Sequence, residues 1–321
     1  MNNQITFGGT VLPSNVLLAP MAGVTDLPFR KIVREFGDFL VFSEMIASNA
    51  VIRHVARTYQ MIEGSEDKYT SIQIVGSDPN IMAEAAKLSQ NLGAHFIDIN
   101  MGCPVRKIIR CEAGSALMKN ELLAKEIFEK VVRAVTIPVS LKIRLGWDKE
   151  HQNAPEIAKI AENSGISMIT VHGRTRSELY SGKPNWKAIR NVKNAVKNIP
   201  IIANGNIIDL ETANICIRES GADGVMIGRG SLGSPWILRE IHDNFQEKSQ
   251  KIISLNKLEI AKRHISYIMD FYGENRAIFI CRKVLMYYSK GVPDASLFRK
   301  LITEVSTEAE IYNILRAMFE E

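Results

Sequence analysis

The chain has 321 residues, of which 46% are hydrophobic and 23% are charged. This composition is that of a globular protein, and it excludes a collagen-like chain, a disordered chain and a disulfide-rich scaffold. Forty Lys and Arg against 35 Asp and Glu give a formal charge of +5, which permits an anionic partner without requiring one. The length fits one large α/β domain with a smaller addition, or two domains of ordinary size.

Eight short apolar segments recur between residues 16 and 227, and each has the length and composition of a buried parallel strand. They are Val16–Ala19, Phe39–Phe42, Ser71–Val75, Phe96–Asn100, Val139–Ile143, Met168–Val171, Ile201–Ala203 and Gly224–Ile227. Helices are predicted between several of them, at Pro79–Leu92, Asn120–Val135, Asn153–Asn163 and Asp209–Glu219. The alternation predicts an α/β fold, a (β/α)8 TIM barrel, with an open doubly wound sheet as the alternative.

Beyond residue 244 the pattern changes to helical periodicity, so we expect a barrel domain at 1–244 and a small C-terminal helical domain at 245–321. The predicted helices are Ile252–Phe271, Arg276–Ser289, Asp294–Ile302 and Thr307–Phe319. Residues 251–300 hold ten Lys or Arg against four Asp or Glu, a net charge of +6, whereas residues 301–321 have a net charge of −4.

The four cysteines form no Cys-x-x-Cys pair and have no His at metal-ligand spacing, so we expect neither a zinc site nor a disulfide framework. The N-terminal residues lack a signal-peptide pattern, and no apolar run approaches the roughly 20 residues of a membrane span. We therefore expect a cytoplasmic protein without metal or membrane contact, and a monomer by default.

Polar residues and glycines follow the predicted strands, and active sites on such barrels lie at the carboxyl ends of the strands. Lys142 and His172 end apolar strands, where an unpaired charge is costly, and Gln73 lies within the third strand. We interpret Lys142 as meeting an anion or an electron-rich ring; a lysine that snorkels to the rim is the alternative. Taken alone, His172 is as readily a structural histidine.

A GxGxxG pattern, made of Gly228, Gly230 and Gly233, follows the last predicted strand and precedes a predicted helix at Pro235–Ile241. In a dinucleotide-binding fold this pattern follows the first strand instead. In a barrel, the loops after strands seven and eight form a phosphate cradle, and Asn204-Gly205-Asn206 supplies its other half. The pattern predicts a phosphate site, with glycines that only make tight turns as the alternative.

Cys103 lies between Gly102 and Pro104, just past the fourth predicted strand. A thiol at the mouth of a barrel can act as nucleophile or proton donor, whereas the alternative is a buried packing thiol. Basic residues near this mouth form either a solvated surface or contacts to a phosphate backbone. They are Arg106, Lys107, Arg110, Arg174 and Arg176.

Six stretches of the sequence resemble the tRNA-dihydrouridine synthases, most closely the bacterial B-type branch. They are LAPMAGVTDLPFR (18–30), INMGCPVRKI (99–108), AGSALM (113–118), VHGRTR (171–176), IIANGNI (201–207) and MIGRGSLGSPW (226–236). They span the predicted barrel in the order of the family. The helical segment resembles the family's C-terminal domain, most recognisably at Arg282 and Lys283.

The resemblance implies an FMN-dependent oxidoreductase that reduces the C5–C6 double bond of particular uridines in tRNA, with NADPH as electron donor. Reduced FMN would deliver hydride to C6, and Cys103 would protonate C5 from the opposite side. By match of motif, the flavin site would comprise Pro20, Met21, Ala22, Gln73, Lys142, His172, Asn204, Gly205, Asn206, Gly228 and Arg229. Asn206 departs from the family, in which relatives often carry Asp.

The resemblance also implies contacts with tRNA. Their candidates are Asn49, Arg106, Lys107, Arg174, Arg176, Arg282 and Lys283. Two other functions stay open. One is a flavin barrel resembling dihydroorotate dehydrogenase that acts on a free pyrimidine, but this leaves the basic helical segment unexplained. The other is an RNA-binding protein without turnover, against which Cys103, Lys142 and His172 argue.

Overall fold

The computed structural model describes residues 4–53, 55–62, 64, 68–247 and 255–320. Its strands are β1 (Thr6–Phe7), β2 (Thr10–Val11), β3 (Val16–Leu18), β4 (Val41–Phe42), β5 (Ile46–Ala47), β6 (Thr70–Val75), β7 (Phe96–Met101), β8 (Val139–Arg144), β9 (Met168–His172), β10 (Ile201–Asn204) and β11 (Gly224–Ile227). Its helices are α1 (Leu27–Arg34), α2 (Ser48–Ile52), α3 (Ala56–Ile62), α4 (Pro79–Asn91), α5 (Arg106–Ile109), α6 (Glu121–Ala134), α7 (Ala154–Asn163), α8 (Trp186–Ala195), α9 (Leu210–Ser220), α10 (Ile237–Phe245), α11 (Lys257–Tyr272), α12 (Glu274–Tyr288), α13 (Ala295–Glu304) and α14 (Glu308–Phe319). Short 3-10 helices lie at Gly114–Lys119 and Arg229–Ser231.

Eight parallel strands form a nearly closed ring in the order β3-β11-β10-β9-β8-β7-β6-β4, and β5 also pairs with β6. A hydrogen bond of 3.0 Å from the backbone N–H of Leu18 to the carbonyl of Leu40 links β3 to the segment that enters β4. Each of the eight predicted segments overlaps one of these strands. The predicted (β/α)8 barrel is confirmed, and the doubly wound alternative is wrong, because the first strand lies beside the last.

Local sequence signals explain where several helices begin. Asp26 and Asp78 precede α1 and α4, and each accepts a hydrogen bond from a backbone N–H of the first helical turn. α9 begins with a capping box between Asp209 and Thr212 and ends at Gly221, whose φ is 64°. The connections from strand to helix are thus specified locally, and this fixes the loops that form the mouth of the barrel.

The barrel interior is apolar at its base. The β1–β2 hairpin places Phe7 there, stacked on Phe96 with ring centroids 4.6 Å apart. The buried apolar cluster that contains both rings comprises Ile5, Phe7, Leu12, Leu17, Ala19, Leu40, Phe42, Phe96, Met168, Ile202 and Met226. Phe96 and Met168 begin β7 and β9, and Ile202 is the second residue of β10, whereas polar residues of the same strands come at their carboxyl ends.

The C-terminal helices pack on the outside of the barrel. α11 lies against α1 and α12, and one buried apolar cluster includes Ile32 of α1 and Leu285 of α12. The predicted start of the first C-terminal helix, Ile252, lies outside the described residues, and α11 begins at Lys257. The proposed boundary at residue 244 falls one residue before the end of α10. None of the helices in the described ranges is long and apolar enough to cross a membrane.

Candidate active site

The carboxyl ends of the barrel strands bring several predicted polar residues into one band. Neighbouring strands place side chains next to each other in register, in the pairs Gln73–Asp98, Asn100–Lys142 and Asn204–His172. All six residues are buried or half-buried. Active sites of such barrels form at the carboxyl ends of the strands. In this barrel, that end carries a concentrated polar surface above an apolar base.

Asp98 is a fully buried carboxyl that organises this band. Its Oδ2 accepts a hydrogen bond from Gln73 Nε2 at 2.7 Å, and its Oδ1 accepts one from Ser140 Oγ at 2.6 Å. Gln73 Oε1 accepts in turn from Asn100 Nδ2 at 2.8 Å. Burial raises the pKa of Asp98 to about 6, although these hydrogen bonds and nearby Lys142 favour the charged form. The network holds the amide of Gln73 in one orientation.

Lys142 is the cation of the band. Its Nζ donates a hydrogen bond to Asn204 Oδ1 at 3.2 Å, and Asn204 Nδ2 donates to the carbonyl of Met226 at 2.7 Å. Burial, and then the charge of Arg144, lower the pKa of Lys142 to about 8, while the charge of Asp98 opposes the shift. Lys142 is thus a positioned ammonium in an environment that favours an anionic or electron-rich partner.

His172 is a buried, neutral imidazole beside this cation. Burial first, and then Lys142 and neighbouring arginines, lower the pKa of His172 well below its usual value. Its Nε2 lies 3.1 Å from Nη1 of Arg174. A guanidinium can only donate, so Nε2 accepts this hydrogen bond and the ring proton lies on Nδ1.

Arg144 connects two loops at the mouth. Its side chain is 1% exposed, and it donates to the carbonyl of Gly102 at 2.8 Å and to those of Thr175 and Leu179 at 2.8 and 2.7 Å. The first carbonyl precedes Cys103, and the other two belong to the loop between β9 and α8. Arg144 was not among the predicted site residues, although it ends β8 two residues after Lys142.

Arg174 holds the same β9–α8 loop from inside. Its side chain is completely buried, and it donates hydrogen bonds to the carbonyls of Ser181 and Gly182 as well as to His172. The predicted contact of Arg174 with tRNA stays a prediction, but its guanidinium is enclosed and donates to acceptors of the protein itself. A buried cation of this kind positions the loop and the imidazole.

Tyr180 projects from this loop toward the band, and the sequence interpretation missed it. Its side chain is 54% exposed, yet the guanidinium carbons of Arg144 and Arg229 lie 5.4 and 5.1 Å from its ring centroid. The ring of His172 is 6.1 Å away. The sequence signal that could have identified Tyr180 was an aromatic residue in the loop after His172. Its ring forms an apolar wall at the otherwise polar mouth of the barrel.

Cys103 lies on the loop after β7, half-buried, with its backbone tightly held. Its N–H donates to Asn100 Oδ1 at 2.9 Å, and its carbonyl accepts from the N–H and Oγ of Ser115 at 3.1 and 2.9 Å. A Cβ atom on Gly114 would lie 2.9 Å from this carbonyl, so the close approach requires glycine. Burial raises the pKa of the Cys103 thiol, although a backbone hydrogen bond, Arg144 and Lys142 oppose the shift. The thiol is therefore protonated at neutral pH.

The loops after the first and last barrel strands meet at the GxGxxG segment. A Cβ atom on Gly228 would lie 3.6 Å from Met21 Sδ, so this glycine lies next to the loop that also contains Pro20 and Ala22. Arg229 donates from Nη2 to Asn206 Oδ1 at 2.9 Å, which joins the two halves of the predicted phosphate cradle.

The other glycines of the cradle serve close backbone packing. A Cβ atom on Gly230 would lie 2.4 Å from the carbonyl oxygen of Ile207, and the carbonyl of Gly205 accepts a hydrogen bond from Trp186 Nε1 at 3.0 Å. The GxGxxG segment follows the last strand of the barrel, which excludes the βαβ arrangement of a dinucleotide-binding fold.

Four other predicted tRNA contacts lie around the mouth in two different settings. Asn49, Arg106 and Lys107 are exposed, at the beginnings of α2 and α5. Arg176 is half-buried, with its guanidinium carbon 4.3 Å from the ring centroid of Trp147. Lys119 Nζ lies 4.5 Å from the same centroid.

Arg282 and Lys283 on α12 make contacts within the protein. Arg282 donates from Nε and Nη2 to the carbonyl of Val305, which follows α13, with the first of these bonds at 2.7 Å. Lys283 donates from Nζ to the carbonyl of Gly23 at 2.7 Å. Their cationic groups thus link α12 to a neighbouring helix and to the barrel. In the described parts of the chain, no cluster of three His, Cys, Asp or Glu could hold a metal ion.

Comparison with known proteins gives consistent results. The family model described as "Dihydrouridine synthase (Dus)" matches residues 17–321. The "Probable tRNA-dihydrouridine synthase" of Rickettsia bellii is 48% identical over 302 residues, which are 92% of either chain. The tRNA-dihydrouridine synthase B of Pasteurella multocida is 42% identical over 316 residues, 97% of this chain and 95% of that one.

Among solved structures, a histamine dehydrogenase from Rhizobium sp. 4-9 superposes with a TM-score of 0.58 at 14% identity. The superposition covers 83% of this chain and 50% of that chain. At this identity the likeness concerns the fold alone, and it agrees with the barrel described above.

Proposed function

The chain belongs to the dihydrouridine synthase family, and on this premise we propose that it reduces the C5–C6 double bond of specific uridines in tRNA, with FMN as cofactor and NADPH as reductant. One observation carries the proposal: the barrel mouth combines a half-buried ammonium, Lys142, fixed by Asn204, with a half-buried thiol, Cys103, on a loop whose backbone is fixed by hydrogen bonds. The reaction requires both groups, one to stabilise negative charge and one to donate a proton.

The residues at the mouth fit a flavin. The half-buried ammonium of Lys142 forms no ion pair among the described residues, and its hydrogen-bond partner there is a neutral amide. An electron-rich ring would provide the complementary charge that burial demands. The proposed flavin-binding residues are Pro20, Met21, Ala22, Gln73, Lys142, His172, Asn204, Gly205, Asn206, Gly228 and Arg229.

Bound at these residues and reduced by NADPH, FMN would supply hydride for C6 of the uracil. The thiol of Cys103 then gives its proton to C5, which completes the saturated C5–C6 bond, and the thiolate regains a proton from water. A raised pKa suits this role because it keeps the thiol protonated until charge develops on the base. Lys142, fixed by Asn204, stabilises negative charge at the flavin.

Other residues of the site keep this geometry. Neutral His172 keeps its proton on Nδ1, since Arg174 occupies Nε2, and it adds no positive charge to repel Lys142. Arg144 ties the loop of Cys103 to the loop of Tyr180. The aromatic ring of Tyr180 offers a wall against which a base removed from its stack can rest.

The proposed tRNA surface surrounds this mouth. Exposed side chains at the beginnings of α2 and α5, namely Asn49, Arg106 and Lys107, are suited to contact the nucleotides around the target uridine. Arg176 adds a cation beside Trp147. Further cations come from the C-terminal helices, which carry the exposed Lys257 and Lys300. Binding through such cations would weaken steeply as salt concentration rises.

The test is direct. We expect the purified protein to be yellow and to release FMN on denaturation, and with NADPH to form dihydrouridine in unmodified tRNA but not from free uridine or orotate. Turnover of the free pyrimidines would indicate the rival barrel enzyme. tRNA binding by a colourless protein without dihydrouridine formation would indicate a binding protein. Mapping dihydrouridine in tRNA from a strain that lacks the gene would identify the position reduced.

A further inference from the structure

One face of α12 contacts both loops that flank the proposed flavin site. Lys283 and Tyr287 are one helical turn apart on this face. Lys283 contacts the loop after β3, the first barrel strand, and Tyr287 contacts the loop after β11, the last. These loops contain Met21 and Gly228, which lie side by side at the mouth.

The contact with the first loop fixes the peptide groups of Gly23. The carbonyl of Gly23 accepts the hydrogen bond from Lys283 Nζ at 2.7 Å, and the N–H of Gly23 donates to the buried carboxylate of Glu44. An ammonium from α12 thus binds the carbonyl of Gly23, and a carboxylate from the barrel binds its N–H. Hydrogen bonds to charged groups are the stronger class, so the loop that carries Met21 is set by both partners.

The contact with the last loop is a close approach of two backbones. Gly233 has φ +73°, and a Cβ atom there would lie 2.3 Å from the carbonyl oxygen of Tyr287. A side chain at this position would separate the loop from α12. The third glycine of the GxGxxG segment therefore serves the junction with the C-terminal helices.

A further anchor comes from α11. The hydroxyl of Tyr272 donates to Asp26 Oδ2 at 2.8 Å, while Asp26 Oδ1 caps α1 by accepting from the N–H of Phe29 at 3.0 Å. The segment between Met21 and α1 is thereby held by two C-terminal helices, at Gly23 and at Asp26.

We propose that α12 positions the flavin site, with Lys283 as a positioning residue that acts through Gly23 and not as a contact to tRNA phosphate. The proposal rests on the proposed function, since it assigns these loops to FMN. The C-terminal helices then have a second role besides binding nucleic acid. They keep the loops after the first and last barrel strands at the spacing that FMN requires.

The experiment compares FMN affinity among full-length variants, measured without tRNA through the quenching of flavin fluorescence. We expect Lys283→Met to raise the Kd for FMN by about tenfold or more, and Lys283→Arg to recover much of the loss because it restores a cationic donor. The matched control is Lys290→Met, an exposed lysine just past the end of α12. It should leave the Kd for FMN within about twofold of the parent value.

Salt dependence of tRNA binding separates the two roles of Lys283. The slope is that of the logarithm of the tRNA association constant against the logarithm of salt concentration. Replacing a positioning residue leaves this slope unchanged, whereas replacing a phosphate contact reduces its magnitude by about one. An unchanged FMN affinity in Lys283→Met would overturn the proposal, whether or not the slope moved. Failure of the parent protein to bind FMN would instead refute the proposed function.

A second variant covers the case in which Lys283→Met does not fold. Tyr272→Phe keeps the ring and removes only the hydroxyl that reaches Asp26. We expect it to speed FMN dissociation severalfold in stopped-flow measurements. An unaltered dissociation rate would show that the C-terminal helices do not set the flavin loops.

Discussion

Lys142 on β8 donates a hydrogen bond of 3.2 Å to Asn204 on β10, across the intervening strand β9. Asn204 is itself fixed by its hydrogen bond to the carbonyl of Met226 on β11. The ammonium of Lys142 is therefore fixed by β10 directly and by β11 through Asn204. Asp98 lies on β7, the other neighbour of β8, and its charge opposes the lowering of the pKa of Lys142 by burial.

The charge of Lys142 predicts how FMN affinity depends on pH. Burial lowers the pKa of this lysine to about 8, so its positive charge is complete well below pH 8 and is lost as pH rises through it. We expect the Kd for FMN, followed by flavin fluorescence, to increase above pH 8 in the parent protein. In Asp98→Asn the increase should begin at lower pH, because the carboxylate that supports the charge is absent.

The control for this titration is Lys142→Met, whose FMN affinity should be weak and nearly independent of pH over the same range. A parent curve as flat as that of Lys142→Met would show that this ammonium does not contribute to flavin binding.

Asp98→Asn should also stabilise the protein without FMN. The pKa of Asp98 is raised from 3.8 to about 6, so the folded state holds a proton that the unfolded state has released between these values. Stability of the parent protein therefore declines as pH rises through that window, and at pH 7 the buried carboxylate costs about 1–3 kcal/mol. Urea denaturation should show a gain of this size in Asp98→Asn at pH 7, and no gain at pH 4. A loss at pH 7 would mean that the hydrogen bonds from Gln73 and Ser140 outweigh the cost of burial.

Cys103→Ala should separate cofactor binding from chemistry. The thiol is the proposed proton donor, and a general acid contributes about 10²- to 10⁴-fold to rate. We expect dihydrouridine formation to fall by about this factor, while the yellow colour and the tRNA affinity are retained. Cys103→Ser is the matched control for size. Parent-like turnover in Cys103→Ala would remove the thiol from the mechanism.

The strands were predictable because a barrel strand covered on both faces needs a run of apolar residues, and that run is local in the sequence. Asp98 was missed for the same reason. It lies within the apolar segment Phe96–Asn100, so a search for polar residues after the strands passed over it. The alternation of Phe96, Asp98 and Asn100 on interior positions was the signal that could have found it.

The cations were harder to interpret, because a sequence shows charge but not the acceptor that meets it. Arg174 and Arg282 have the composition of phosphate contacts, yet their acceptors are carbonyls of Ser181, Gly182 and Val305. These carbonyls belong to loops whose path depends on the completed fold. Lys107, by contrast, is exposed on α5, as a residue that contacts tRNA should be.

Arg144→Lys should destabilise the protein and loosen the loop of Cys103. A lysine lacks the planar fork that reaches Gly102, Thr175 and Leu179 together, so it should lose one or two of the three hydrogen bonds, each of which contributes about 1.5–3 kcal/mol. We expect a loss of about 2–4 kcal/mol in urea denaturation, and faster reaction of Cys103 with a thiol reagent under native conditions. Unchanged thiol reactivity would show that Arg144 does not hold this loop.

Salt dependence should distinguish exposed from buried cations of the proposed tRNA surface. Lys107→Gln should weaken tRNA binding and reduce the magnitude of the slope of log K against log salt by about one, since an exposed phosphate contact releases counterions. Arg174→Gln should leave the slope unchanged, because its guanidinium is completely buried, and should lower the Tm through loss of its bonds to the β9–α8 loop. Filter binding at several salt concentrations measures both slopes. A reduced slope in Arg174→Gln with an unchanged Tm would return this arginine to the tRNA surface.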